Sequence, residues 1–234
     1  MGIVSLLDLL FPKKCAGCGE FGTYFCASCI QAAKPCFSQA CPVCERASID
    51  GITHARCRKG LTPDGLTSVW EYEKAPRELI LKLKYKYVTD VGLSLAVPAS
   101  GTLKNIIRSN PASPKWTDKQ LVLVPIPLHW TRNNWRGFNH VEEVGKILAQ
   151  LMGWEMINLL VRSKMAKQQV GLKGKERKEN IQGVFNLASN SPVSSLSQVV
   201  LFDDVWTTGA TMLEAVKVLK KAGFKRVWCL TLAR

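Results

Sequence analysis

The chain has 234 residues, 47% hydrophobic and 21% charged, which excludes global disorder and leaves room for one α/β domain plus a small appendage, not two full-sized domains. Lysine and arginine number 32 against 18 acidic residues, and the resulting net charge of +14 favours an anionic partner, either a phosphorylated metabolite or a nucleic acid. No stretch reaches the ~18 apolar residues that a spanning helix needs, so no membrane span is expected. The apolar start from Ile3 to Phe11 is broken by Ser5 and Asp8 and lacks a basic flank and a small-residue cleavage site, so the expected location is cytoplasmic.

Eight of the nine cysteines lie between Cys15 and Cys57. An odd count with no sign of secretion argues against a disulfide framework. The spacing repeats instead: Cys15-Ala-Gly-Cys18, Cys26-Ala-Ser-Cys29 and Cys41-Pro-Val-Cys44 are C-x-x-C knuckles, and His54-Ala-Arg-Cys57 completes a fourth pair. Four pairs fill two tetrahedral zinc sites. Short gaps favour sequential closure, as Cys15/Cys18/Cys26/Cys29 and Cys41/Cys44/His54/Cys57, and the spacing leaves a cross-braced pairing open. Cys36 is left over and reads as non-ligating, unless it replaces a ligand in the second site. So short a segment buries little core, and metal would supply most of its folding free energy.

After Cys57, residues 58–65 carry Gly60, Pro63 and Gly65 and read as a linker, which divides the chain into a zinc module over residues 1–60 and a second domain over 61–234. Beyond it, strand and helix patterns alternate as in βαβ units, predicting a parallel sheet flanked by helices. Strands are predicted at 68–72, 121–126, 199–202 and 227–232 and helices at 76–85, 140–151 and 210–222, with loops at 110–119 and 188–197. Cys229 is expected to pack as a small hydrophobe in the closing strand.

One segment carries the chemistry: Val199-Val200-Leu201-Phe202-Asp203-Asp204-Val205-Trp206-Thr207-Thr208-Gly209-Ala210-Thr211. It reads as a buried strand, two carboxylates at its exposed end, and a small-residue loop entering a helix. Successive backbone N–H groups, threonine hydroxyls and the helix dipole suit a phosphate there. The carboxylates would repel a phosphate and suit ribose hydroxyls instead. Strand, acid pair and loop together specify a ribose 5-phosphate; neither a glycine-rich dinucleotide motif nor a Walker loop is present.

This stretch resembles the signature by which type I phosphoribosyltransferases bind 5-phosphoribosyl 1-pyrophosphate (PRPP). By that resemblance Asp203 and Asp204 hold the ribose, and Thr207, Thr208, Gly209, Ala210 and Thr211 wrap the 5′-phosphate. The whole order of cysteine knuckles, Pro125-Ile126-Pro127-Leu128-His129, Arg136-Gly137-Phe138-Asn139, Arg177-Lys178-Glu179-Asn180 and the signature resembles the ComF family, competence-associated phosphoribosyltransferases with an N-terminal double zinc ribbon. The chain departs from the family pattern at His54, often cysteine, and at His140, often glutamine. The resemblance implies a type I phosphoribosyltransferase fold and a loop after the first core strand, His129, Trp130, Thr131 and Arg132, that binds pyrophosphate. Arg136 is a candidate for further phosphate contacts. Between Arg162 and Lys178 seven basic residues face one acid, and Lys164, Lys167 and Arg177 there are candidates for a flap closing over PRPP, against the alternatives of a solvated basic face or a nucleic-acid contact. The implied activity is pyrophosphate-releasing transfer from magnesium PRPP to an unidentified acceptor, in competence, DNA uptake or nucleotide metabolism. The alternative is a non-catalytic protein that senses PRPP or nucleotides, or binds single-stranded DNA or competence-machinery proteins.

Overall fold

The computed structural model describes residues 12–83, 88–109, 121–128, 138–162, 183–189 and 198–234. A five-stranded sheet forms from β1 (Gly65–Trp70), β2 (Leu121–Pro125), β3 (Glu155–Met156), β6 (Gln198–Val205) and β7 (Arg226–Ala233), in the order β1-β7-β6-β2-β3. Every neighbouring pair is parallel. Short β4 (Leu160–Arg162) and β5 (Phe185–Leu187) pair antiparallel beside it. Helices α2 (Lys74–Leu83), α3 (Val88–Ser109), α4 (His140–Met152) and α5 (Ala210–Lys221) flank the sheet, and a short α1 (Ala27–Ala32) lies in the cysteine-bearing segment. The α/β fold with a parallel, helix-flanked sheet is thus the one the alternating pattern predicts. Among the described residues no helix is long and apolar enough to cross a membrane.

The apolar runs of the strands conceal a strict alternation. Val200 and Phe202 of β6 pack with Leu79 of α2, Leu95 of α3 and Val144 of α4 on one face. Val199 and Leu201 pack with Met212, Ala215 and Leu219 of α5 on the other. A strand buried on both faces shows no polar alternation, and only its partners reveal the period of two. Cys229 is fully buried in the α5 face, as its setting in the closing strand predicts.

The edge strand β1 is covered by the cysteine-bearing segment. Cys36 N–H donates to the Val69 carbonyl at 2.9 Å, Thr53 N–H to Asp64 at 2.9 Å, and Glu71 N–H to Lys34 at 3.0 Å. Gln39 acts as a surrogate strand: its Oε1 accepts from Ser68 N–H at 2.9 Å and its Nε2 donates to the Ser68 carbonyl at 3.0 Å. Gly51 fits against Leu66 only because it has no side chain, since a Cβ there would lie 1.8 Å from the Leu66 carbonyl oxygen. An open sheet edge invites pairing with another chain, and here it is closed within the molecule.

Several element boundaries differ from those predicted. β1 begins at Gly65, so the stretch read as linker leads straight into a strand, and α2 starts two residues earlier than expected, while its predicted end at Tyr85 lies outside the described residues. Helix α3 was not predicted. Its buried face, Val91, Leu95, Ala99, Leu103 and Ile106, has helical spacing, but Gly92, Pro98 and Gly101 mask the signal.

Candidate functional site

The cysteines and His54 converge as two groups, Cys15/Cys18/Cys26/Cys29 and Cys41/Cys44/His54/Cys57, with the ligand atoms of each within 4.8 Å of one another. The sequential pairing is therefore the one the backbone builds, and Cys36 belongs to neither group. Cys18 and Cys26 sulfurs stand 3.6 Å apart, near the ~3.8 Å edge of a tetrahedron with Zn–S bonds of about 2.3 Å. In the second group His54 Nδ1 lies 3.2 Å from Cys44 Sγ, while its Nε2 is 3.1 Å from the Ala47 carbonyl. A carbonyl only accepts, so Nε2 carries the proton and the Nδ1 lone pair points into the cluster, the arrangement a metal-bound histidine needs.

Electrostatics agree with that donor set. Burial opposes ionisation of Cys15, yet backbone N–H groups of Cys26, Cys18 and Gly17 bring its thiol down to about 6. Cys41 is lowered in the same way, against burial, by the N–H groups of Cys44, His54 and Val43. Burial and then the neighbouring cysteines push Cys29 and Cys57 up. Cys15 and Cys41 ionise readily while Cys29 and Cys57 resist like charge, a conflict that a divalent cation removes. Each group therefore has the ligand types and spacing to hold zinc.

The second assembly follows β6. Trp206 N–H donates to Ala233 O at 2.9 Å, so the chain stays in register with β7 one residue beyond the strand. It then turns into α5 through Gly209, which caps the helix at φ 64° without a side-chain cap. A Cβ on Gly209 would stand 2.1 Å from the Trp206 ring. Leu213 N–H closes the first helical turn on Gly209 O at 2.8 Å, leaving the N–H groups of the residues before it directed outward from the helix end. Thr207 is exposed and Thr208 and Thr211 are half-buried around that end, with Thr208 Oγ1 at 3.5 Å from Ala210 N. Backbone donors, hydroxyls and the positive end of α5 are the groups that an anion would need there. Replacing Gly209 with alanine is expected to strain both φ and the Trp206 contact and to destabilise the fold by about 1–3 kcal/mol, read as a lower denaturant midpoint; an unchanged midpoint would mean that the turn does not rest on this packing.

The two aspartates do not both sit at an exposed strand end, as the sequence reading has them. Successive strand residues point to opposite faces. Asp203 shares the α5 side with Leu201; it is half-buried and its Oδ1 accepts from Asp204 N–H at 2.8 Å. Asp204 turns to the α4 side, is buried at 8% exposure, and sets Oδ2 3.1 Å from Nε2 of His140, itself only 2% exposed. Asn139 holds that geometry by capping α4: its Oδ1 accepts from Val141 N–H and its Nδ2 donates to Ile126 O at the end of β2, both at 3.1 Å. The sequence signals His140 as a departure from the family pattern but not its partner, 64 residues away.

Because all five strands are parallel, the ends of β2, β6, β7 and β1 share one edge, where ligands of open α/β sheets bind. His129, Trp130, Thr131, Arg132 and Arg136 lie outside the described residues, as do Lys164, Lys167 and Arg177. Five residues beyond the basic stretch, Gly183 N–H donates to Glu214 Oε1 of α5 at 2.9 Å, and Lys217 pairs with the same carboxylate at 2.9 Å. Burial opposes the Glu214 charge, but these two donors hold its carboxyl below the usual range.

No family model matches the chain. It is similar to competence protein F of Haemophilus influenzae, 34% identical over 113 residues that cover 48% of this chain and 49% of that protein. It is also similar to the DNA utilization protein YhgH of Salmonella typhimurium, 29% identical over 212 residues and 88% of each chain. Competence protein ComFC of Bacillus subtilis is 27% identical over 208 residues, covering 85% of this chain and 78% of that one.

Proposed function

We propose that the chain is a member of the ComF family, that it binds magnesium PRPP at the loop after β6, and that it acts in the handling of DNA, as the names of its relatives indicate for them. Residues 61–234 form the phosphoribosyltransferase domain and residues 1–60 a zinc module with one structural ion in each cysteine cluster. The observation that carries this reading is the turn at Gly209, which sets the N-terminus of α5 and three threonines beside the acids at the carboxyl edge of the sheet. Asp203 accepts hydrogen bonds from the ribose hydroxyls, the cradle of Thr207–Thr211 receives the 5′-phosphate, and His140 fixes the carboxylate of Asp204 from below. Magnesium, carried in with PRPP, neutralises charge on the departing pyrophosphate. The pyrophosphate loop belongs to His129–Arg132, after β2, and the basic segment with Lys164, Lys167 and Arg177 closes over the ligand. Catalysis by such a site is electrostatic, through fixed donors that stabilise leaving-group charge.

A second reading, binding of single-stranded DNA without turnover, draws on one local feature. On the zinc module Lys14 Nζ lies 4.7 Å over the ring of Phe21, which is 64% exposed, a pairing of cation and aromatic face suited to a stacked base beside a phosphate. Calorimetric titration with PRPP and magnesium, followed by a pyrophosphate-release screen across nucleobases and single-stranded DNA, separates the two. Saturable PRPP binding with pyrophosphate release is expected. PRPP binding without release leaves the sensing or DNA-binding protein, and no PRPP binding refutes the site.

A further inference from the structure

Helix α3 joins the core through Val91, Leu95, Ala99 and Leu103, all buried, and leaves its opposite face open. On the open face Asp90, Leu93, Val97, Gly101, Lys104 and Arg108 are exposed, and their steps of three or four residues set them in one stripe along the helix. Leu93 is 45% and Val97 52% exposed, so the middle of the stripe is apolar. Gly101 lies inside the helix without a positive φ, and a Cβ built on it meets nothing within 4 Å. Nothing within the described chain calls for glycine at that position, although glycine in mid-helix weakens the helix relative to alanine. Gly92 differs, because a Cβ there would touch Ile147 at 3.6 Å and Val144 at 3.8 Å on α4. A bare backbone on the outer face of a helix lets another surface come close.

The stripe is complementary to itself. When a second copy of α3 is turned antiparallel about Val97, Leu93 falls opposite Gly101 of the second copy, and the same pairing recurs on the other side of the axis. Each large side chain then meets a gap. One helical step further out, Asp90 falls opposite Lys104. Asp90 pairs with Lys13 at 2.6 Å yet keeps 47% of its side-chain surface open, so its carboxylate can accept from a second ammonium. Lys104 donates to the Leu151 carbonyl at 3.2 Å and has no carboxylate partner among the described residues. We propose that α3 is the contact surface of a two-fold homodimer, in which two copies of the helix lie antiparallel with Val97 on the axis. Leu151, 37% exposed and beside Lys104, widens the contact. A strip ~33 Å long and ~10 Å wide is smaller than the ~800 Å2 that each partner buries in a standard interface, so the dimer is weak, with a Kd on the order of 10–100 µM. α3 and α4 cover one face of the sheet and α5 the other, so the contact leaves α5 and the loop before it uncovered.

Sedimentation equilibrium of the full zinc-loaded chain over rising concentration is expected to show a monomer–dimer equilibrium. Gly101→Leu fills the gap and should weaken association about tenfold or more, while the melting temperature stays level or rises because the helix loses a glycine. Asp90→Lys and Lys104→Glu should each weaken association about fivefold or more. An equimolar mixture of these two variants should associate as the parent chain does, because both antiparallel contacts then join opposite charges again. That recovery distinguishes a contact between chains from damage to the Lys13–Asp90 pair within one chain. Magnesium PRPP affinity of Gly101→Leu should equal that of the parent chain. A monomer at every concentration leaves the stripe to a different protein and overturns the proposal. A dimer indifferent to Gly101→Leu, or single-variant losses that mixing does not repair, overturn it as well.

Discussion

Stripping metal from the chain is expected to unfold the cysteine-bearing segment and to uncover the edge of the sheet. Purified without chelator, the protein should carry two zinc ions, one per cluster. Between residues 12 and 60 the buried apolar side chains are Phe25, Ala33, Ala40, Pro42 and four cysteines, and Phe25 alone is large. Such a core cannot hold a segment of that length, whereas a structural zinc contributes about 10–16 kcal/mol in comparable small modules. The consequence reaches beyond the segment, because Cys36, Gln39 and Thr53 make the hydrogen bonds that cover β1 and its approach. Chelation should therefore raise hydrogen exchange at Ser68 and promote association through the exposed edge. Acid should do the same more gently. Zinc is held by deprotonated thiolates and a neutral imidazole, so stability present at neutral pH is lost as falling pH lets protons compete with the metal for Cys15 and its partners. His54→Cys should preserve two ions per chain and His54→Ala should lose one. Full helix and sheet signal with unchanged exchange after metal removal would show that the clusters do not hold the fold.

What the residues announce in advance depends on how local the signal is. The knuckles, the β6 run and α5 each declare themselves within a dozen residues, and they appear where their spacing puts them. α3 hides because glycine and proline interrupt an otherwise regular face, and tertiary packing against α4 overrides the local penalty. β3 is two residues long, too short for any periodic signal. The pairing of His140 with Asp204 and the grip of Gln39 on Ser68 join positions far apart in sequence, and no pattern within one segment carries them. The sequence identifies the acid pair but not its division of labour, because adjacent strand residues face opposite sides of the sheet and only the fold brings the buried His140 to the side of Asp204.

That division of labour sets the sharpest expectation for the β6 site. Asp203, half-buried on the α5 side, should behave as a ligand residue: Asp203→Asn is expected to weaken magnesium PRPP by about 1.5–3 kcal/mol, on the order of tenfold to a hundredfold in Kd, with the melting temperature nearly unchanged. Asp204 should behave differently. Its carboxylate is the partner of a histidine at 2% exposure, so Asp204→Ala leaves a buried imidazole without its acceptor and should cost about 1–3 kcal/mol of stability as well as affinity. Asp204→Asn keeps an oxygen that can still accept from Nε2–H and should recover most of that stability without recovering the charge. His140→Gln offers an amide N–H to the same carboxylate and should be tolerated, whereas His140→Ala should mimic Asp204→Ala in stability. Calorimetry and thermal melts on these five variants give two independent readouts. If Asp203→Asn binds PRPP as tightly as the parent chain, the ribose is held elsewhere. If Asp204→Ala and His140→Ala leave the melting temperature unmoved, the buried pair is not what orients the acid at the end of β6.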